Sequence, residues 1–497
     1  MTSAPSSPTA PRAPEDASKT FFGQPRGLAN LFSVELWERF SFYGMQGIVL
    51  LYMYFEVAEG GLAIDRAVAA GIVGAYGGSV YLFSVLGGWV ADRLLGPERT
   101  MLGSGVLIMA GHTSLALLPG AWGLATGLIL IAVGSGGLKA TITNLVGALY
   151  ARGDTRRDAG FSIFYMGINI GGLLGPLLTG LVFQRFGFHL GFGLAAVGMA
   201  IGLAQYLWAR RSLPEHVHRV PDPLPREHYP RYLGLAGLAV VVVVVAVLTG
   251  LLTAENLSSV VVGAIVVAAV VLFVVLLTSR HLDGDERSRV WSFIPMFVAS
   301  TAFWALFQQQ FTVITIYSDT RLDRVVEGVP LLGTWEVPIP WVQSFNPVFI
   351  ILLAPVFAAL WQRLGDRQPA APVKFGLGTA LMGAAFLVFL PMVGVEGVPV
   401  LWVALVMLVA TAGELMLSPV GLSLTTKLAP KAFPVLMIAL FYLSVALGTA
   451  LSGFLAAFYS EENEAAYFGI LGAVTIGVGV LLLVLSRPIT RLMRGVR

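Results

Sequence analysis

The sequence predicts an all-α membrane protein of fourteen transmembrane helices, arranged as two six-helix bundles with two peripheral helices between them. Three observations carry that prediction. Of 497 residues, 56% are hydrophobic and only 12% charged, where soluble domains run near ~25% charged. The apolar residues gather into segments of about 20 or more, the length that crosses a bilayer. The basic residues then fall on one side. With the N-terminus cytoplasmic, 25 of the 31 Lys and Arg lie in cytoplasmic segments and four, Arg66, Arg185, Arg321 and Arg324, lie outside. A single miscounted helix would destroy that asymmetry, because every later loop would change sides. Both termini are therefore predicted to be cytoplasmic.

Taken in order, residues 1–29 are rich in Pro, Ser and Ala, lack the apolar run of a signal peptide, and read as a disordered cytoplasmic tail. Spans are expected near 30–56, 67–91, 100–118, 122–150, 159–183 and 188–209, which places an N-terminal bundle at 30–210. A linker at 211–289 opens with the Pro- and Arg-rich stretch from Arg210 to Arg231 and holds spans at 232–253 and 257–279. These two are almost wholly Val, Leu and Ala, with Glu255 at their turn, so they have nothing to line a pathway with. The C-terminal bundle, 290–497, has spans near 291–317, 341–361, 373–392, 398–426, 434–458 and 466–486. Asp92-Arg93 after the second helix and Asp366-Arg367 after the second helix of the other half form a faint internal echo. Repeated six-helix halves around a midplane site are a transporter layout.

Several chemistries are excluded. A net charge of +3, with the basic residues distributed by loop, gives no nucleic-acid surface. No cysteine means no disulfide, thiolate metal site or Cys nucleophile, and six His without HExxH spacing give metal no foothold. No cofactor other than protons is expected, and no enzyme: nothing resembles a nucleophile, metal or phosphate constellation. The expected partners are the lipid bilayer and a small solute, with a monomer as the working unit.

The first helix is the key. Glu35, Glu38, Arg39, Phe42, Tyr43 and Gln46 recur at spacings of three and four and share one face. Each charge would cost about 2.5 to 3.5 kcal/mol facing lipid at midplane, so the three face protein or water. Either Glu35 and Arg39 form a structural ion pair or the cluster lies in a polar pathway. Elsewhere at membrane depth stand Lys139, within Gly134-Ser-Gly-Gly-Leu-Lys139, Tyr165 and Asn169 one turn apart, Gln308 after Trp304, Gln343 and Asn346 ahead of Pro347, and Glu414. The glycines before Lys139 lack phosphate-loop spacing and suit close helix packing instead. The hydroxyls and amides could equally serve interhelical hydrogen bonds, and Lys139 and Glu414 a buried salt bridge.

The run Glu35-Leu-Trp-Glu38-Arg39-Phe-Ser-Phe-Tyr43-Gly resembles the ExxERFxYYG signature of the proton-dependent oligopeptide transporters of the major facilitator superfamily. Phe164-Tyr165-Met-Gly-Ile-Asn169-Ile-Gly resembles their FYxxINxG motif, and Gly413-Glu414-Leu-Met-Leu-Ser-Pro their tenth-helix segment. The similarity runs from about residue 30 to the end, and bacterial members share the two extra helices. It implies a major facilitator fold and a symporter importing di- and tripeptides with protons by alternating access at the cell membrane. It assigns Arg39 and Lys139 to the peptide carboxylate and the coupling network, Glu35 and Glu38 to proton handling, and Glu414 to the peptide ammonium. Tyr43, Tyr81, Tyr165, Asn169, Trp304 and Asn346 would line the cavity, with Gln308 and Phe441 at further family positions. A tripeptide's termini stand about 10 Å apart at 3.3 to 3.6 Å per residue, which suits fixed charges on opposite bundles. Lys139 and Glu414 are expected to pair when the cytoplasmic side is closed.

The chain also departs from the pattern. Many members place Tyr at Phe42, a cation at Gln46, an acid at Gln308 and Trp at Phe441. With Gln46 and Gln308 both neutral, the outer gate is not itself protonated, which leaves Glu35, Glu38 and Glu414 as the deep carboxylates available for coupling. A carrier of nitrate, another small anion or a drug-like solute is the alternative on the same fold; Glu414 argues against a pure anion site.

Overall fold

The computed structural model describes residues 21–151, 154–210, 213–329 and 333–496, so most of the expected N-terminal tail, along with Arg152, Arg211 and Arg497, lies outside the described residues. Sixteen α-helices appear among them. The first half is α1 (Arg26–Tyr54), α2 (Arg66–Val90), α3 (Pro97–Leu117), α4 (Gly120–Ala148), α5 (Arg157–Phe186) and α6 (Phe188–Ala209). Between the halves stand α7 (Tyr229–Leu248) and α8 (Leu257–Thr278). The second half is α9 (Gly284–Phe307), α10 (Val313–Thr320), α11 (Phe345–Leu364), α12 (Ala371–Leu387), α13 (Val400–Leu428), α14 (Pro434–Ala456), α15 (Glu464–Val484) and the short α16 (Ser486–Leu492). Thirteen segments are long and apolar enough to cross a membrane, with α9 and α10 forming one of them. The fourteenth span is α1, whose Arg26, Glu35, Glu38 and Arg39 lower its hydropathy.

Packing divides the spans into two bundles. α1 lies against α5 and α6, α2 against α4, and α3 against α4 and α6; α9 lies against α12 and α14, and α12 against α13 and α15. The bundles meet along α2–α14 and α5–α11. Without a hydrophobic force between helices in lipid, close backbone approach supplies the contact, and small residues permit it. A Cβ at Gly87 would stand 2.4 Å from Gly137 Cα, so the glycines before Lys139 do serve α2–α4 packing. At the seam between bundles a Cβ at Gly74 would stand 2.6 Å from Gly453 Cα.

α7 buries no residue among its neighbours, and α8 leans on α2 and α14 through Ile265, Ala269 and Leu276. α7 is peripheral, whereas α8 adds those three side chains to the core shared with α2 and α14. The linker ahead of them is less passive than its composition suggests. Glu98 at the start of α3, 1% exposed, accepts bonds from Tyr206 (3.0 Å), Arg210 (2.9 Å) and His218 (2.6 Å). Arg93 pairs with Asp222 as well, so the connection is strapped to the N-terminal bundle.

Two expectations are corrected and two details added. Helix α1 begins at Arg26, and Phe21 packs on Phe32 at 5.5 Å, so ordered structure reaches into the supposed tail. The fold is all-α, and the outer loops add two short strand pairs: β1 (Leu322–Asp323) with β4 (Val398–Pro399), and β2 (Val325–Val329) with β3 (Gly333–Glu336). The expected single span at 291–317 is interrupted by a 3-10 turn at Gln308–Phe311. Side chains accept or supply what the broken ladder frees: Gln309 Nε2 donates to Ala305 O, and Thr315 Oγ1 to Gln310 O at 2.7 Å. Finally, the Asp-Arg echo is built two ways, as a π-helical continuation of α2 at Ala91–Leu95 and as a 3-10 turn at Gly365–Arg367.

Candidate functional site

Helix α1 positions the charged cluster because its small and aromatic residues dock it between α5 and α6, leaving the polar stripe turned inward. Arg39 Nε donates to Glu35 Oε1 at 2.8 Å and lies 2.8 Å from Glu38 Oε2. Its one hydrogen can point at only one of them, and it points at Glu35. Glu38 is fully buried and also receives Ser135 Oγ of α4 at 3.3 Å. Two carboxylates thus share one guanidinium, an arrangement whose net charge is negative unless one takes a proton. The ion pair and the polar pathway are both present: Arg39 lines an internal chamber, whereas Glu35 and Glu38 stand behind it.

That chamber, about 210 Å³, lies between the bundles. On the N-terminal side its wall is Arg39, Phe42, Tyr43, Gln46, Tyr81, Lys139, Tyr165, Ile168 and Asn169. On the C-terminal side it is Trp304, Phe307, Gln308, Gln310, Phe311, Gln343, Asn346, Ile350, Glu414, Ser418 and Thr449. Lys139 Nζ sits 4.1 Å from the Tyr81 ring centroid. Glu414 Oε2 accepts Asn346 Nδ2 at 2.9 Å, and Asn346 Nδ2 also reaches Thr411 Oγ1 at 3.0 Å. Asn169 returns its amide to Tyr165 O at 2.9 Å. Trp304 Nε1 is buried with no partner among the described residues. Cations therefore line one bundle and a carboxylate the other, with aromatic faces between.

Ten of the expected binding residues line this space; Phe441 does not. Its ring, 5% exposed, turns into the C-terminal core, where a Cβ at Gly421 would meet it at 2.5 Å. A phenyl ring there has no polar atom to draw it to the chamber, and the neighbouring Tyr442 stacks 6.5 Å from the wall residue Tyr81. The polar wall residues that sequence reasoning missed are Gln310, Ser418 and Thr449. Gln310 had a signal in the triple glutamine run, but hydroxyl residues recur throughout these helices without one.

Four side-chain bonds join the bundles on the outer side. Tyr54 OH donates to Asp319 Oδ2 at 2.7 Å, Trp341 Nε1 to Leu177 O at 3.0 Å, Ser344 Oγ to Leu173 O at 3.1 Å, and Gln184 Nε2 to Glu336 O at 3.0 Å. Toward the Lys- and Arg-rich side the wall residue Tyr165 is 45% exposed. The chamber is closed outside and open to the cytoplasm.

Two six-helix bundles around a charged, one-side-open chamber define a carrier of the major facilitator type, a multi-pass membrane protein. More particularly, residues 98–474 match the sequence pattern of the POT family, and the chain belongs to that family. It is 42% identical over 486 residues to an uncharacterized transporter, YclF, of Bacillus subtilis, covering 96% of this chain and 97% of that one. It is 40% identical over 497 residues to a di-/tripeptide transporter of Lactococcus lactis subsp. cremoris, covering 96% and 98%. A crystal structure of a peptide transporter POT, an E310Q mutant in complex with alafosfalin, superposes with a TM-score of 0.90 at 44% identity, covering 96% of this chain and 98% of that one.

Proposed function

We propose that this protein imports di- and tripeptides together with protons by alternating access, and that it performs no enzymatic step. The observation that carries the reading is the opposition of Arg39 and Lys139 on one wall to Glu414 on the other. A peptide is a zwitterion, and its carboxylate and ammonium each meet the opposite charge. Its variable side chains meet Tyr43, Tyr81, Tyr165 and Trp304, which offer apolar faces with polar tips. The named function of the Lactococcus relative and the alafosfalin complex of another support the same cargo.

Coupling rests on the deep carboxylates. Glu35 and Glu38 share Arg39, so a proton on one frees the guanidinium for the peptide carboxylate. Glu414 answers the ammonium, and Lys139 and Glu414 pair when the inner side closes; in the inward-open state seen here Lys139 rests on Tyr81 instead. A proton moved down ~100 mV contributes about 2.3 kcal/mol and each pH unit about 1.36, enough for accumulation of several hundredfold. A monomer in the bilayer, with protons and no other cofactor, suffices for this cycle.

The test is uptake of labelled dialanine into liposomes under imposed pH and voltage gradients, with unlabelled peptides as competitors. Peptide-inhibited uptake driven by an inward proton gradient supports the reading. Uptake indifferent to peptides, or inhibited by nitrate instead, overturns it.

A further inference from the structure

The outer end of the chamber is made of amides. Gln46 lies seven residues beyond Arg39 on α1, about 10 Å at 1.5 Å per residue, and Gln308, Gln310 and Gln343 line the chamber with it. The amide of Gln343 has a fixed orientation. Thr315 Oγ1 spends its hydrogen on Gln310 O at 2.7 Å, so toward Gln343 it can only accept, and it takes Gln343 Nε2 at 3.2 Å. Gln343 Oε1 is thereby turned away, toward α1, where a Cβ at Gly47 would lie 3.4 Å from it. That oxygen and Gln46 Oε1 are both buried with no donor among the described residues, in side chains 4% exposed.

An unpaired buried acceptor is costly, and here the cost falls on the outside-closed state, because an open outer gate admits water to both oxygens. We propose that Gln46, Gln308 and Gln343 form a subsite that reads a carboxamide side chain of the peptide, so that the gate closes most readily over cargo carrying Asn or Gln. A carboxamide brings two N–H donors to two orphaned acceptors, and its own oxygen accepts from an amide such as that of Gln308. A Lys or Arg side chain also donates, but no acidic residue lies in this amide belt to answer its charge, and an unpaired buried cation costs more than a neutral amide.

This inference rests on the peptide reading above. It is tested by inhibition of labelled dialanine uptake with peptide pairs matched in shape, Ala-Gln against Ala-Met, Gln-Ala against Met-Ala, and Ala-Ala-Gln against Ala-Ala-Met. In the native protein the glutamine member inhibits about tenfold more tightly in at least one pair; equal inhibition in all three overturns the subsite. In Gln343→Met the ratio for that pair falls to about one, and a ratio that persists removes Gln343 from the subsite and overturns the proposal as stated. The ratio is independent of total uptake, and the native comparison stands if the variant does not fold. Absence of any dialanine uptake would overturn the peptide reading instead.

Discussion

Lys139 Nζ stands 4.1 Å above the centroid of the Tyr81 ring, holding its charge against a π face of its own bundle while Glu414 is engaged by Asn346. A desolvated cation on an aromatic face gains roughly 0.5 to 2 kcal/mol. The ring therefore holds Lys139 against its own bundle, on the chamber wall, in the state that releases cargo.

Replacing that face should weaken the site. Tyr81→Leu is expected to raise the half-saturation concentration for dialanine by about 2- to 30-fold, whereas Tyr81→Phe keeps the ring and stays near the native value. Concentration-dependent uptake of both variants checks this. A Phe variant as impaired as the Leu variant would move the role from the ring to the hydroxyl.

Among the described residues, Glu414 is the only acidic one on the chamber wall. Glu414→Gln keeps the bond from Asn346 but removes the charge that answers an ammonium, and uptake of peptides with a free amino terminus should be abolished. Unchanged uptake would refute the assignment.

Gln46 and Gln308 face one chamber from opposite bundles. Gln46→Arg alone introduces a buried charge without a partner, whose cost is several kcal/mol. Gln46→Arg with Gln308→Glu supplies one, so the double variant should retain more uptake and a higher melting temperature than the single. Equal damage counts against the pairing.

The outer closure has a steric and a polar component. A side chain at Gly74 collides with the backbone of Gly453, and Tyr54 OH to Asp319, at 2.7 Å, is a bond to a charged group worth about 1.5 to 3 kcal/mol. Gly74→Val and Tyr54→Phe should each shift the protein toward an outward-open state. Because the chain has no cysteine, a single Thr449→Cys on the chamber wall reports this directly. Its labelling by a membrane-impermeant thiol reagent added outside should rise in both backgrounds, more so with Gly74→Val, and dialanine uptake should fall.

Much of the architecture was legible because lipid makes hydropathy a linear signal: a span cannot leave its polar groups unpaired, and loop charge fixes its direction. The same rule exposed Arg39, Lys139 and Glu414, since charges at that depth face an interior. Family motifs extended the reading to Tyr43, Tyr165 and Asn169. At Phe441 the motif resemblance did not carry over to the chamber wall, because a residue type at a family position says nothing about which way a phenyl ring turns.

What the sequence determined by itself is the number of spans, the side each loop occupies and the identity of the groups that must be kept from hydrocarbon. Only the tertiary structure decided how those groups are matched. It gave Arg39 two carboxylates, set Lys139 on Tyr81 rather than Glu414, opened the chamber on the cytoplasmic side, and brought Gln343 and Thr449 to its wall. The reason is that a helix apolar on every face carries no periodic mark of which face meets protein and which meets lipid. That choice is made by packing between helices far apart in the chain, as where Gly74 meets Gly453.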